Sequence, residues 1–390
     1  EPGTAGYLGV IRDADGKVIL DSVMLRTRAE CAAAIVKAVE AGKGTERGGC
    51  YLDLTANVKG ERSGVYYKRF LETSLSGVMA TVRQALGRAA SECKELWEVR
   101  PGAHYSMGGI RVDEFGSAVS LGSRVVARGL FAAGQAMGGV FGANRLGSTS
   151  LSEGPIFGSR AGRAAASLRT GKDTMVSEGT QDAFAPYLHF YRNLPGQKGE
   201  NTGSGLIRKL QAAAWKNIGP ARTKGGIEEF LAQIEQFRKD AREINISEES
   251  LWNQSFIDYV ELTNMLDTAH AIAVSALDRE DSLGAHMRLD GGVTSILFDK
   301  PYSVSTYLDD ESAFTVGRLP RPSTPWKRLV AYVLQDRKRK LGLKLLRILP
   351  LSLQDKIIEE RYRSVMGNID PEPQSPSAEV SSDSIDREAA

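Results

Sequence analysis

The sequence predicts a mixed fold in which an α/β part is followed by an α-helical bundle. Residues 129–166 hold a short apolar run (130–133), a glycine-rich stretch and a helix-like segment, the order of strand, turn and helix in an α/β sheet. Residues 206–290 instead repeat apolar side chains at helical spacing, which predicts a bundle. The polar, glycine-containing residues 171–205 between these two parts are interpreted as a linker.

The first hundred residues are predicted to contain both strands and helices. Two apolar runs flank Asp13-Ala-Asp-Gly16 and indicate a hairpin, because Asp-Gly favours a tight turn. Residues 29–41 have a helical composition, and Gly42 is expected to end this helix. A strand is predicted over residues 51–54, and a second helix over residues 66–86, where apolar residues recur at helical spacing.

The glycine-rich region is the best candidate for a binding site. We predict strands over residues 110–112, 123–127 and 130–133, and a helix that begins near Ser150. Ser150 and Glu153 have the spacing of a capping box. The N-terminus of such a helix favours an anion, and Arg145 just before it is suited to a carboxylate. The intervening glycines leave the backbone open to a flat or phosphorylated ligand; they are Gly134, Gly138, Gly139, Gly142 and Gly147.

Composition excludes several classes of protein. The net charge is +2, which gives no bias towards nucleic acid. The sequence has no apolar run of about 18 residues, so no membrane span is predicted. Its three cysteines are scattered, odd in number and without metal-ligand spacing, which predicts reduced thiols and no metal site.

The last hundred residues are less regular. Residues 294–304 are predicted to hold two short strands. Residues 326–347 form a basic amphipathic stretch, in which Gly342 and the nearby Pro350 should limit a continuous helix. Residues 367–390 are rich in Pro, Ser and acidic residues and are predicted to be disordered.

Five motifs, in order, resemble one family. The segment Gly142-Ala-Asn-Arg-Leu-Gly147 followed by Ser150-Leu151 resembles the GANRLG and SL motif of the succinate dehydrogenase and fumarate reductase flavoproteins. His104-Tyr-Ser-Met-Gly-Gly-Ile110 is similar to the HYTMGGI motif of the same family. The remaining matches are Tyr51-Leu-Asp-Leu54, Trp215-Lys-Asn-Ile-Gly219 with Arg222, and Glu280-Asp-Ser-Leu-Gly-Ala-His-Met-Arg-Leu-Asp290.

The resemblance implies a fold and a set of domains. It implies a partial FAD-binding domain of the glutathione-reductase-like type and a capping α+β domain, followed by a helical bundle. Residues 1–103 are then the remainder of the capping domain, and residues 104–170 are the returning segment of the FAD-binding domain. The linker covers residues 171–205, the bundle 206–293, the C-terminal segment 294–366, and the tail 367–390.

The resemblance also implies substrate-binding and catalytic residues. Arg145 matches the arginine that clamps a small dicarboxylate, and His104 matches a substrate-binding histidine. The proton donor of the family is an arginine at the head of a helix before the YLDL strand. Arg28 fits that place best, and Arg26 is the alternative. Because an arginine is a weak acid in water, this role requires charged neighbours in a water-poor site.

The implied cofactor is FAD. Ser150 and Leu151 match positions whose backbone meets the flavin pyrimidine ring, and Gln135 stands where the family usually has a Glu against the ribityl chain. Phe141 and Leu283 depart from the family pattern, which has His and Arg there. Outside these positions, His286 and Arg288 are interpreted as structural residues.

We expect the adenosine-binding strand-turn-helix of the family to be absent from this chain, because no GxGxxG follows a strand. Gly203-Ser-Gly205 is the segment most similar to the GxGxxG motif, and it is interpreted as part of the linker. Such an absence would follow from truncation, or from a split protein whose first half is another polypeptide.

The implied function is the interconversion of fumarate and succinate by an FAD-dependent oxidoreductase. Its electrons would be exchanged with an iron-sulfur subunit, and through it with a membrane anchor subunit. The protein would then lie in the cytoplasm, peripheral to the inner face of the membrane. The alternatives are an L-aspartate oxidase, another fumarate-reductase-like flavin reductase, or a non-catalytic subunit of a split complex. The basic stretch at 326–347 is expected to face the iron-sulfur partner or the anionic membrane surface.

Overall fold

The structure is a computed structural model that describes residues 2–120, 128–147, 149–168, 178–249, 251–294, 299–300, 302–308 and 314–366. Its residues fall into two compact units. Unit 1 comprises Glu1, Thr27–Cys50 and Arg100–Arg337; unit 2 comprises Pro2–Arg26, Tyr51–Val99 and Lys338–Ala390. The predicted strand at residues 123–127 and the predicted disordered tail at 367–390 lie outside the described residues.

The helices and strands follow the chain in a mixed order. They are β1 (Val10–Arg12), β2 (Val18–Leu20), α1 (Arg28–Glu40), β3 (Cys50–Asp53), α2 (Ser63–Ser74), α3 (Ser76–Leu86), α4 (Arg88–Ser91), β4 (Trp97–Val99), β5 (Ile110–Arg111), β6 (Met137–Gly138), α5 (Thr149–Ser167), α6 (Glu178–Arg192), α7 (Gly203–Ile218), α8 (Lys224–Ala241), α9 (Gln254–Asp278), β7 (Tyr302–Leu308), β8 (Phe314–Pro320), α10 (Trp326–Ile348) and α11 (Leu351–Met366).

A four-stranded sheet in the order β2-β1-β3-β4 is the centre of unit 2. The predicted hairpin is present as the antiparallel pair β1 and β2, and Gly16 supplies the left-handed residue of its turn with φ 81°. Helix α11 packs against α2, where Asp355 accepts a hydrogen bond from the Ser63 amide at 2.8 Å and so caps that helix. The side chains of Tyr67 and Leu71 are fully buried in this unit.

The predicted helical bundle is confirmed in unit 1. Helices α7, α8 and α9 pack against one another around a core that includes Leu210, Phe230, Ile234 and Leu262, each at most 1% exposed. Apolar residues at helical spacing produce this arrangement, because each helix turns one stripe towards the other two. The bundle carries the segment 279–294, which reaches the glycine-rich region of the same unit.

Several local predictions differ from the structure. The predicted linker contains helix α6, and Gly203 to Gly205 form the first turn of α7 under a Thr202 cap rather than a flexible segment. The predicted helix over residues 66–86 is two helices separated at Leu75, where Ser74, Ser76 and Gly77 are poor helix formers. Gly42 does follow α1, which is capped by Thr27.

The strand prediction near the glycine-rich region was partly wrong. Residues 130–133 form only an isolated bridge between Phe131 and Ser117, because Gly129 and Gly134 take left-handed φ values at both ends. Of the two strands predicted over residues 294–304, residues 302–304 belong to β7, which pairs with β8, whereas residues 295–298 and 301 lie outside the described residues. Helix α10 continues through Gly342 to Ile348, so this glycine does not interrupt it. None of the described helices is both long enough and apolar enough to span a membrane.

Candidate functional site

The guanidinium group of Arg145 lies at the centre of a cluster in unit 1. Its Nη2 is 3.0 Å from His104 Nε2, and its Nη1 donates to Ser150 Oγ at 3.2 Å. Since arginine only donates hydrogen bonds, His104 Nε2 accepts, and a neutral His104 ring carries its proton on Nδ1. The structure therefore brings together three residues that the sequence predicted for the site.

Tyr105 forms one wall of the cluster. The Arg145 guanidinium lies 5.0 Å from the centre of the Tyr105 ring, a cation-π distance, and Phe141 meets the same ring edge-on at 5.7 Å. The Tyr105 hydroxyl donates a short hydrogen bond to the buried carboxylate of Glu153. Burial first, and this bond second, raise the pKa of Tyr105 to about 12. The tyrosine thus stays protonated and holds the loop of His104 against α5.

The predicted capping box at Ser150 and Glu153 is wrong. Helix α5 begins at Thr149, so Ser150 is already helical, and its hydroxyl accepts from Arg145. Glu153 turns to Tyr105 instead of back to the helix start, because a nearby phenol offers it a strong donor. Its second oxygen, Oε1, is buried without a hydrogen-bond partner among the described residues.

Two backbone contacts fix the loops that carry His104 and Arg145. Strands β5 and β6 pair in parallel, and a Cβ at Gly138 would lie only 2.8 Å from backbone atoms of Gly109. The glycines thus let the two segments approach each other closely. On the other side of the loop, the Arg145 amide donates to Met107 Sδ at 3.0 Å.

Arg28 of α1 lies within electrostatic range of Arg145. It is the first residue of that helix, directly after Thr27, whose side chain forms a capping box with Glu30. Burial lowers the pKa of Arg28, and the positive charge of Arg145 lowers it further. Arg26, the alternative, is held by Asp21, to which its Nη2 donates at 3.2 Å.

The predicted cofactor residues lie near the head of α5 and in the turn before β6. Leu151 is 78% exposed, and Gln135 is exposed in the short 3-10 helix Gly134–Ala136. Leu151, Gly158 and Gly162 share one exposed face of α5, opposite the buried Glu153. That face is open, because nothing lies within 4 Å of a Cβ built at either glycine.

Sequence reasoning missed Tyr105, Met107 and Glu153 as members of the cluster. Tyr105 and Met107 lie inside the HYSMGG motif, so the sequence had already indicated this segment as part of the site. Glu153 was noticed for its spacing alone. No local signal pairs Glu153 with Tyr105, which lies 48 positions away in the sequence.

Two family models match the chain. The model described as FAD binding domain matches residues 3–151, which include the whole Arg145 cluster except Glu153. The model described as fumarate reductase flavoprotein C-term matches residues 207–311, which include the bundle. Together they cover both parts of the predicted fold, and the first identifies FAD as the cofactor.

Two curated relatives are named fumarate reductases. The chain is 32% identical over 276 residues to a fumarate reductase (CoM/CoB) subunit of Methanothermobacter marburgensis, and the match covers 68% of this chain and 44% of that protein. It is 36% identical over 248 residues to the fumarate reductase flavoprotein subunit of Mycobacterium tuberculosis, or 60% of this chain and 40% of the relative. The chain thus spans less than half the length of the curated relatives it matches.

The fold also matches a solved structure. A chain of Escherichia coli quinol fumarate reductase superposes with a TM-score of 0.65 at 23% identity, covering 84% of this chain and 57% of that one. This likeness concerns the fold, while the family models and curated relatives concern the sequence. The ordered motifs, the Arg145 cluster and these matches agree with one another. The chain therefore belongs to the succinate dehydrogenase and fumarate reductase flavoprotein family of FAD-dependent oxidoreductases.

Proposed function

We propose that the protein containing this chain interconverts fumarate and succinate at the Arg145 cluster. The observation that carries the proposal is the contact between Arg145 and His104, with Arg28 close enough for the charge of Arg145 to act on it. Two guanidinium groups near each other repel, and a bound dianion offsets that repulsion. A small dicarboxylate has the charge that this arrangement favours.

Substrate binding follows from the donors present. Arg145 offers a planar fork of N–H groups, which matches the two oxygens of a carboxylate. His104 offers its Nδ1–H when its Nε2 accepts from Arg145. Tyr105 and Phe141 supply the apolar wall against which the carbon chain of the substrate rests.

Arg28 is the proposed proton donor. Reduction of fumarate adds a hydride to one alkene carbon and a proton to the other, which gives succinate. Bound FAD supplies the hydride chemistry. Burial, the neighbouring charge of Arg145 and the positive end of α1 all disfavour the protonated guanidinium of Arg28, so it releases a proton more readily than an arginine in water.

The residues at the head of α5 fit an FAD group. Ser150 and the first-turn amides are hydrogen-bond donors at the positive end of a helix, which suits an electron-rich ring. The open face of Leu151, Gly158 and Gly162 offers apolar surface without side chains in the way. Glu153 Oε1 is a buried acceptor that remains available to a donor group.

We also propose that electrons reach the protein from an iron-sulfur subunit, and through it from a membrane anchor subunit. The match to a chain of a quinol fumarate reductase supports this partner, as does the exposed basic face of α10. The protein would then lie at the inner face of the cytoplasmic membrane. The fumarate reductase names of the relatives favour this function over an L-aspartate oxidase, and the FAD-binding match favours it over a non-catalytic subunit.

Replacement of Arg145 by Ala tests the proposal. We expect Arg145→Ala to lower kcat/KM for fumarate about a hundredfold, because charge-assisted hydrogen bonds contribute about 1.5 to 3 kcal/mol and misorientation adds to the loss. The flavin absorption spectrum should stay unchanged. Fumarate-dependent oxidation of a reduced dye measures the activity.

The matched control is Arg163→Ala, which removes an exposed arginine from α5. It should behave like the unmodified protein. Turnover of Arg145→Ala within tenfold of the unmodified protein would remove Arg145 from the site.

A further inference from the structure

A tight turn after the bundle contacts the segment that leads to Arg145. In this turn Leu283 and His286 exchange two backbone hydrogen bonds of 2.9 and 3.1 Å. Gly284 between them has φ 60°, a left-handed value that favours glycine. The turn belongs to the EDSLGAHMRLD motif, whose His286 and Arg288 the sequence marked only as structural.

The turn is joined to Ala143 by a backbone hydrogen bond. The Ala285 amide donates to the Ala143 carbonyl oxygen at 2.8 Å. A Cβ added at Gly284 would overlap that same oxygen and lie 2.7 Å from the Ala143 Cβ. Only glycine therefore allows the turn to sit at this distance.

The His286 side chain joins the turn to the helical bundle. Its Nδ1 accepts from Arg222 Nη1 at 2.8 Å, and its Nε2 donates to the carbonyl of Arg279 at 2.9 Å. An arginine only donates and a carbonyl only accepts, so the ring is neutral with its proton on Nε2. Arg222 lies between α7 and α8, and Arg279 directly follows α9, so the turn is tied to two parts of the bundle.

Ala143, which the turn contacts, lies two positions before Arg145 in the sequence. Ala143 is held through its carbonyl by Ala285, and Arg145 is held through its amide by Met107. The two contacts bracket Asn144 and act from different parts of unit 1. A shift of the first contact would displace the backbone from which the Arg145 side chain extends.

We propose that Gly284 is a positioning residue for Arg145: through the Ala285–Ala143 hydrogen bond, the bundle sets the place of the guanidinium that clamps the dicarboxylate. The proposal deepens the proposed function and rests on it for the identity of the ligand. The mechanical part, that this turn restrains residues 142–147, stands on the contacts alone.

Gly284→Ala tests the proposal against Gly292→Ala. The control adds the same methyl group in the same segment, at a glycine with open space around its Cβ position and no left-handed φ. A second variant, Ala285→Pro, removes the N–H that Ala143 accepts and adds no side chain at residue 284. If thermal unfolding shows that Gly284→Ala does not fold, the Ala285→Pro variant tests the proposal in its place.

Three measurements are made on the FAD-loaded protein. Steady-state kinetics give kcat and KM for fumarate, the change in flavin absorbance on titration gives the dissociation constant of malonate, and hydrogen exchange reports peptides over residues 142–147. We expect KM and the malonate dissociation constant to rise about tenfold in Gly284→Ala, with kcat changed less than about threefold, because a displaced clamp mainly weakens binding. Exchange over residues 142–147 should be at least about fivefold faster. Gly292→Ala should match the unmodified protein.

The outcomes separate the two proposals. If exchange over residues 142–147 and malonate affinity are unchanged in a folded Gly284→Ala or Ala285→Pro, the positioning role is wrong. A general loss of packing would accelerate exchange throughout the bundle and also overturn it. If the unmodified protein neither reduces fumarate nor binds malonate, the proposed function fails, while the exchange result still decides whether the turn restrains the segment.

Discussion

Arg28 illustrates how one residue acquires an unusual property from its surroundings. It stands at the positive end of α1, is half-buried and faces the charge of Arg145. Each of these effects lowers its pKa, so all three act in the direction that an acid requires. Arg26, two positions earlier, forms an ion pair with Asp21, with 3.2 Å between Nη2 and Oδ1.

We expect Arg28→Lys to lower kcat for fumarate reduction by about 10²-fold or more, with KM changed less than about threefold. A proton donor acts on the transition state, and general acids contribute about this much. Lysine keeps the charge but has neither the reach nor the planar fork of arginine. Steady-state kinetics with fumarate measure both constants.

The matched control is Arg26→Lys, which should leave both constants close to those of the unmodified protein. If Arg28→Lys raises only KM, Arg28 is a binding residue and not the proton donor. The reverse pattern between the two variants would transfer the role to Arg26.

At the scale of elements, the turn at residues 283–286 depends on an uncharged histidine. Burial first, and the charge of Arg222 second, lower the pKa of His286 to about 4. The hydrogen bond to the Arg279 carbonyl raises this pKa, while the charges of Arg279 and Arg288 lower it. Protonation would place an N–H against the N–H of Arg222, so the network that holds the turn would break.

This network predicts how stability depends on pH. The unfolded chain protonates His286 near its ordinary pKa of 6.5, whereas the folded chain resists protonation until about pH 4. The stabilisation is therefore complete above pH 6.5 and is lost as the pH falls from 6.5 towards 4. We expect a loss of about 2 kcal/mol over this window, below the full value because the ring is partly exposed.

Urea unfolding at several pH values between 7 and 4 measures this effect. The comparison is with His286→Gln, which does not titrate and retains an amide donor and acceptor. The fall in unfolding free energy should be smaller in the variant. Equal falls in the two proteins would show that His286 does not contribute to the pH dependence.

At the scale of the whole molecule, positive charge is concentrated on one helix. The net charge is only +2, yet α10 carries eight Lys or Arg residues and the single acid Asp336. One face of this helix, defined by Leu334, Leu341, Leu345 and Ile348, is 52% to 77% exposed. Arg337 and Lys338 lie on the same side, so the surface is both apolar and basic.

We expect this surface to face an anionic partner, as the sequence predicted. The double variant Arg337→Glu/Lys338→Glu should reduce binding to phosphatidylserine vesicles, or to the iron-sulfur subunit, at least about tenfold in low salt. Each cation near an anionic surface contributes about 1 kcal/mol, and salt screens it. Co-sedimentation with each partner measures the binding.

The control, Arg208→Glu/Lys209→Glu, makes the same charge change on two exposed residues of α7. It should bind like the unmodified protein. If both variants lose binding equally, net charge rather than the α10 surface is responsible. If neither loses binding, the helix is an ordinary solvated surface.

The family, the helical bundle and the first hairpin could all be predicted before the fold was known. These features depend on short motifs and local periodicity: GANRLG around Arg145, apolar stripes at helical spacing, and Asp-Gly before β2. Local signals were also sufficient to place Arg28 at the start of a helix. They were misleading for Ser150 and Glu153, where the capping spacing is present and the capping box is not.

Contacts between residues that are distant in sequence could be assigned only from the fold. The fold pairs Glu153 with Tyr105 and Arg26 with Asp21. It also brings Arg28 within electrostatic range of Arg145, and Gly284 against Ala143. Each of these choices is a competition among donors, charges and volumes that are distant in sequence. Local propensity contains no information about such a competition, because its outcome depends on which groups the fold brings within hydrogen-bond or van der Waals distance.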